Sequence, residues 1–201
     1  MFNLIRRDVI LQKKQLLLFV PFVIFFIIME ANPAMIFLVA SIMIPFNTYA
    51  YDEKVETNIL LNSLPYTRTE IIASRYIGAI IYMVLAIGVT SLTLFVFNQP
   101  FTLAHIAIGC SLFLLFASFT FPLFYLFKPG YIFPAVLISF LLLAAVGPAI
   151  VLFLADQLTI IKDFIINLSV PALYTGATIV VIIVYVSSWF VTNSIYRRKA
   201  F

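Results

Sequence analysis

Charge is what this sequence has least of. Only 10% of its 201 residues are Asp, Glu, Lys or Arg, against about 25% in a soluble domain. Hydrophobic residues make up 64%, so the chain has too little polar surface to cover its own core in water. There is one cysteine, Cys110, which excludes an intrachain disulfide or a cysteine metal centre. A single histidine, His105, excludes HExxH-type zinc sites and paired-histidine catalysis. The six glycines (Gly78, Gly88, Gly109, Gly130, Gly147 and Gly176) are scattered. They form neither GxxxxGK[ST] nor GxGxxG, so neither of those phosphate-cradling loops is present. No acidic or basic residue is expected deep inside a helix, where ion-coupled transporters usually carry one. What fills the chain instead is 22 Phe, 10 Tyr and long aliphatic runs, with a mean hydropathy of +1.16. These features describe an integral membrane protein with almost no room for a separate soluble domain.

The few charges act as a topology map. Uncharged runs extend over Gln15–Met29, Ala31–Tyr51, Tyr76–Phe127, Pro129–Ala155 and Phe164–Tyr196. A spanning helix needs about 20 apolar residues. The third run holds two, separated at Asn98-Gln99-Pro100, a tripeptide suited to a water interface. Six transmembrane helices are therefore expected, near 15–29, 33–50, 76–97, 103–127, 131–154 and 170–193. The first is short, and Lys13 and Lys14 extend it by snorkelling. With six spans, every one of the 12 Lys and Arg except Lys162 lies on one side, which makes both termini cytoplasmic. That distribution also accounts for the formal net charge of +4 without a nucleic-acid partner. The Arg6–Met29 stretch has a signal-peptide outline, but Glu30-Ala31-Asn32-Pro33 offers no small-x-small cleavage site, so the first helix is read as uncleaved. Pro45, Pro122, Pro134 and Pro148 interrupt the second, fourth and fifth helices, a common feature of membrane helices.

Three segments lie outside the spans. Residues 1–14 place Phe2, Ile5 and Val9 among Arg6, Arg7, Lys13 and Lys14, the pattern of a short amphipathic helix on the inner leaflet lipid. Residues 155–169 carry Leu158, Ile161, Ile165 and Leu168 at helical spacing and are expected to lie at the outer interface. The cytoplasmic loop 51–75 is the most informative. Asp52, Glu53 and Glu56 occupy the first turns of a helix, where carboxylates complement the dipole. Val55, Ile59 and Leu60 form an apolar face, and Leu64-Pro65 ends it. Thr67-Arg68-Thr69-Glu70 then reads as a capping box, Thr67 with Glu70, that opens a helix running through Arg75 into the third span.

The same loop carries a family likeness. Asp52-Glu53-Lys54, then Leu60-Leu61-Asn62-Ser63-Leu64-Pro65-Tyr66-Thr67-Arg68-Thr69-Glu70-Ile71-Ile72 and Arg75-Tyr76, resembles small Gram-positive-type permeases of the ABC transporter superfamily, type-2 export class. The ending Ser194-Ile195-Tyr196-Arg197-Arg198-Lys199-Ala200-Phe201 resembles their basic-aromatic tail, and Thr67 stands where Ser is more usual. The resemblance implies a single permease domain over residues 1–201: an elbow helix at 1–14, helices one and two at 15–50, a coupling loop at 51–75, helices three to five at 76–154, and helix six with its tail at 170–201. It implies a non-catalytic plasma-membrane subunit that binds no cofactor, with ATP and Mg on a separate cytoplasmic ABC ATPase. Asp52, Glu53, Glu56, Ile59 and Leu60 would contact that ATPase, and a second permease subunit would complete a homo- or heterodimer. The substrate class it implies is an amphipathic or hydrophobic export substrate, with peptides such as phenol-soluble modulins favoured. The rival is the six-helix vitamin-binding subunit of an energy-coupling-factor importer, which couples through a membrane scaffold and has less use for a structured 25-residue loop.

Overall fold

The computed structural model describes residues 13–52, 67–127 and 169–198, together with isolated positions between 131 and 153. Five helices are described: α1 (Lys13–Ile28), α2 (Pro33–Asp52), α3 (Arg68–Val96), α4 (Leu103–Leu126) and α5 (Val170–Arg198), and no strand occurs among the described residues. Helices α3, α4 and α5 are each long and apolar enough to cross a membrane. Among the described residues α1 and α2 contribute the shorter apolar helical stretches Phe19–Ile28 and Pro33–Met43. The 1–14 elbow up to Gln12, the expected fifth span at 131–154 except for isolated positions, and the outer segment 155–168 lie outside the described residues.

Local chemistry sets the helix ends. After α1, the Glu30 N–H donates to the Ile27 carbonyl and the Ala31 N–H to the Phe26 carbonyl, with Glu30 left-handed at φ 52°. This Schellman motif satisfies the last carbonyls of α1. The same pair of bonds closes α3, from Asn98 to Phe95 and from Gln99 to Leu94, with Asn98 at φ 54°. Asn tolerates that conformation better than most residues. Helix α2 opens on Asn32, whose Oδ1 accepts the Ala34 N–H at 2.9 Å, with Pro33 at the first helical position, where its missing N–H costs nothing. At the start of α4 the Thr102 N–H donates to His105 Nδ1 at 3.1 Å. His105 thus fills the role that Glu or Gln fills in a capping box.

Helices α2, α4, α5 and α3 pack as a ring, each against the next, and α1 lies outside against α2 and α3. Two apolar clusters result. One joins α3, α4 and α5 through Ile72, Tyr76, Phe113, Ala117, Phe121 and Tyr185. The other joins α1, α2 and α3 through Val23, Ile36, Phe37, Tyr82 and Leu94. Helix α3 serves both, which is why its buried positions run from Ile71 to Leu94 on more than one side. Helices α2 and α4 cross closely at Gly109. A Cβ on Gly109 would lie 2.7 Å from the Phe37 Cβ and 3.0 Å from the Ala34 carbonyl oxygen. Small residues permit this approach between membrane helices. By contrast α5 exposes Ile179, Ile182, Ile183, Val186 and Phe190, an apolar face of the kind that meets lipid.

Candidate functional site at the loop end of the bundle

Helix α3 begins at one end of the ring, where the C-termini of α4 and α5 meet, Tyr125 against Tyr196 and Arg197 against Thr69. Asp52 is the last residue of α2. Glu53, Glu56, Ile59 and Leu60 lie outside the described residues, as does everything from 53 to 66. Thr67 is the N-cap of α3, in extended conformation at φ −70° and ψ 150°. Its N–H donates to Glu70 Oε2 at 2.8 Å, its hydroxyl donates to the same oxygen at 2.8 Å, and the Glu70 N–H donates back to Thr67 Oγ1 at 3.3 Å. Glu70 precedes the uncharged run that begins at Tyr76. The Thr67 backbone bond, then its hydroxyl, hold the Glu70 carboxyl below the ordinary carboxylate range.

The capped start of α3 is locked to the end of α5. Arg68 Nη1 donates to the Arg197 carbonyl at 3.2 Å and to the Tyr196 carbonyl at 3.5 Å, and its guanidinium carbon lies 6.0 Å from the Tyr196 ring centre. Those carbonyls are among the last of α5, which have no intrahelical donor and form the negative end of its dipole. Arg197 Nη2 returns the contact, donating to Thr69 Oγ1 at 3.1 Å. Tyr125 at the end of α4 packs edge-on against Tyr196, with ring centres 5.0 Å apart. Arg68, which the sequence places only in the capping-box segment, is half-buried and bonded to a helix 128 residues away.

About two turns further into α3 lies a buried group of hydroxyls. Tyr76 Oη is 2.8 Å from Ser188 Oγ and 2.7 Å from Thr192 Oγ1, both on α5. Ser188 Oγ donates to the Ser118 carbonyl of α4 at 2.6 Å, and the Tyr185 hydroxyl donates to the Tyr76 carbonyl at 2.9 Å. Each hydroxyl has one proton to give. Because the Ser188 proton goes to the Ser118 carbonyl, Tyr76 must donate to Ser188 and accept from Thr192. The result is a directed chain, Thr192 to Tyr76 to Ser188 to the Ser118 carbonyl, in which each bond polarises the next. Aromatic rings close around it: Phe121 edge-on at 4.9 Å, Tyr185 edge-on at 5.1 Å and Trp189 stacked at 6.0 Å from Tyr76. Apart from Tyr76, which is quoted in the family motif, the sequence does not single out these residues. The available signal was Pro122, whose missing N–H leaves the carbonyl four residues back, that of Ser118, in need of another donor.

Among the described residues no group of three or more His, Cys, Asp or Glu stands ready to hold a metal. The site is an assembly of helix ends and hydroxyls. The model of the ABC-2 family transporter proteins matches residues 3–197. The chain belongs to that family. ABC-2 permeases are membrane transport subunits, generally non-catalytic, and the family implies an ABC ATPase partner in general. The match does not favour the vitamin-importer reading. No curated protein and no solved structure matches the chain.

Proposed function

We propose that this ABC-2 chain is the permease subunit of an ATP-driven exporter, moving an amphipathic or hydrophobic substrate, a peptide by preference, out of the cell. A separate cytoplasmic ATPase supplies the energy, and the functional unit pairs two permease subunits with six spans each and cytoplasmic termini. The observation that carries this reading is the family match over nearly the whole chain, taken with a loop that re-enters the bundle through a capped helix tied to α5. A connector with no mechanical task has no use for such anchoring. On this reading Asp52, Glu53, Glu56, Ile59 and Leu60 form the coupling helix. The apolar pair seats in a groove of the ATPase, and the carboxylates orient it. The 1–14 segment lies on the membrane as an elbow.

The test is reconstitution with a candidate cytoplasmic ABC ATPase. The permease alone should bind no ATP at micromolar concentration, and the complex should export substrate only with ATP. Ile59→Asp or Leu60→Asp, placing a charge in a desolvated contact, should cost several kcal/mol and weaken the complex more than ~10-fold. Full binding and coupled turnover in both variants would remove the loop from the transmission path. Nucleotide binding by the isolated chain would sink the permease reading.

A further inference from the structure

We propose that α4 contains a hinge at Pro122 and that Ser188 of α5 is the positioning residue that holds it, set by Tyr76 of α3. Pro122 sits inside α4, five residues before the helix ends at C-cap Phe127. Its ring nitrogen carries no hydrogen, so the Ser118 carbonyl loses its ordinary donor, and the segment beyond is free to pivot. In a membrane a freed backbone group must find another partner. Here that partner is the Ser188 hydroxyl at 2.6 Å, reaching across from another helix. The bond is part of the directed chain, so it depends on Tyr76, which fixes where the Ser188 proton points. Tyr76 rides on the helix that leaves the 51–75 loop and packs on Phe121 just before the hinge, and the pivoting end of α4 bears Phe124 and Tyr125, the latter packed on Tyr196. A shift of α3 along or about its axis therefore reaches the Ser118 carbonyl through two hydroxyls. Releasing that bond frees the hinge.

Its use in transport rests on the permease reading, but the hinge itself is tested on the full chain alone in liposomes, so one can fail without the other. Spin labels on Leu103→Cys and Leu126→Cys, both exposed ends of α4, in a Cys110→Ser background report its bend. A straight helix of 24 residues spans about 35 Å. The parent should give one narrow distance distribution. Ser188→Ala should broaden it and shift it, and Ser188→Thr, which keeps the hydroxyl, should restore the parent. The decisive arm is Pro122→Ala in the Ser188→Ala background. The new N–H gives the Ser118 carbonyl an intrahelical donor, so the distribution should narrow again, which a mere packing role for Ser188 would not produce. An unchanged distribution in Ser188→Ala, or a broad one that Pro122→Ala does not narrow, overturns the hinge. If Ser188→Ala fails to fold, its recovery by Pro122→Ala supports the proposal and its failure to recover refutes it.

Discussion

Tyr76 illustrates how much one side chain carries in this bundle. Its ring packs against Phe121, Tyr185 and Trp189, and its hydroxyl bridges Ser188 and Thr192. Tyr76→Phe keeps the ring and removes only the bridge, which leaves two buried hydroxyls short of a partner. A lost buried hydrogen-bond partner costs about 1–3 kcal/mol. The variant should therefore unfold measurably earlier in a detergent thermal melt, and a melt equal to the parent would mean that the hydroxyl is dispensable. Thr67 is the opposite case, an exposed residue whose effect is local. Thr67→Ala should cost about 1 kcal/mol by loss of the N-cap bond, seen as faster hydrogen exchange confined to the first turn of α3. Glu70 shares that cap. Its carboxyl is held below the ordinary range, so the cap contributes at neutral pH and is lost as pH falls through the lowered value. Loss of first-turn protection should follow that direction and no other.

At the scale of elements, the ring stands or falls on how closely its helices approach. Gly109 is where α4 meets α2, with backbone and Cβ atoms already inside the space a methyl group would take. Gly109→Ala should force the two helices apart and destabilise the fold. Gly88→Ala is the control, since nothing lies within 4 Å of a Cβ there, and it should be neutral or gain up to about 1 kcal/mol from helix propensity. Equal melts for the two variants would count against the tight crossing. The elements themselves were legible where the chain punctuates them. Asn98-Gln99-Pro100 separates α3 from α4, Asn32-Pro33 opens α2, and Thr67-Arg68-Thr69-Glu70 spells the cap on α3. The α5 terminus was read short, at 193 rather than Arg198, because charged Arg197 and Arg198 end the apolar signal while the helix continues. The partners of Arg68 and Ser188 were not legible. Periodicity shows which face of a helix is apolar, but not which distant carbonyl a donor will meet.

For the whole molecule, the question is what a push on the 51–75 loop would move. If α3 were held only by its apolar face, force at its N-terminus would be taken up by fraying of the first turn. The capping box resists fraying, and the paired contacts of Arg68 with the α5 carbonyls and of Arg197 with Thr69 make the ends of α3 and α5 travel together. Neither guanidinium contact is deeply buried, so each alone contributes modestly, but both span the same junction and their effects should be coupled. On the permease reading this junction separates two functions that the charge insertions at Ile59 and Leu60 would abolish together. The Arg68→Ala/Arg197→Ala variant leaves the apolar pair of the loop intact, so it should still capture the ATPase with affinity close to the parent. It should nonetheless lose part of its substrate export per ATP hydrolysed, because the first turn of α3 would no longer move with the end of α5 and only the deeper Tyr76 bonds would carry the shift. The measurement is pull-down of the ATPase alongside export and ATP turnover in the same liposomes. Binding lost in parallel with export would place these arginines in the ATPase interface itself. Export per ATP equal to the parent would show that α3 and α5 need not move as one.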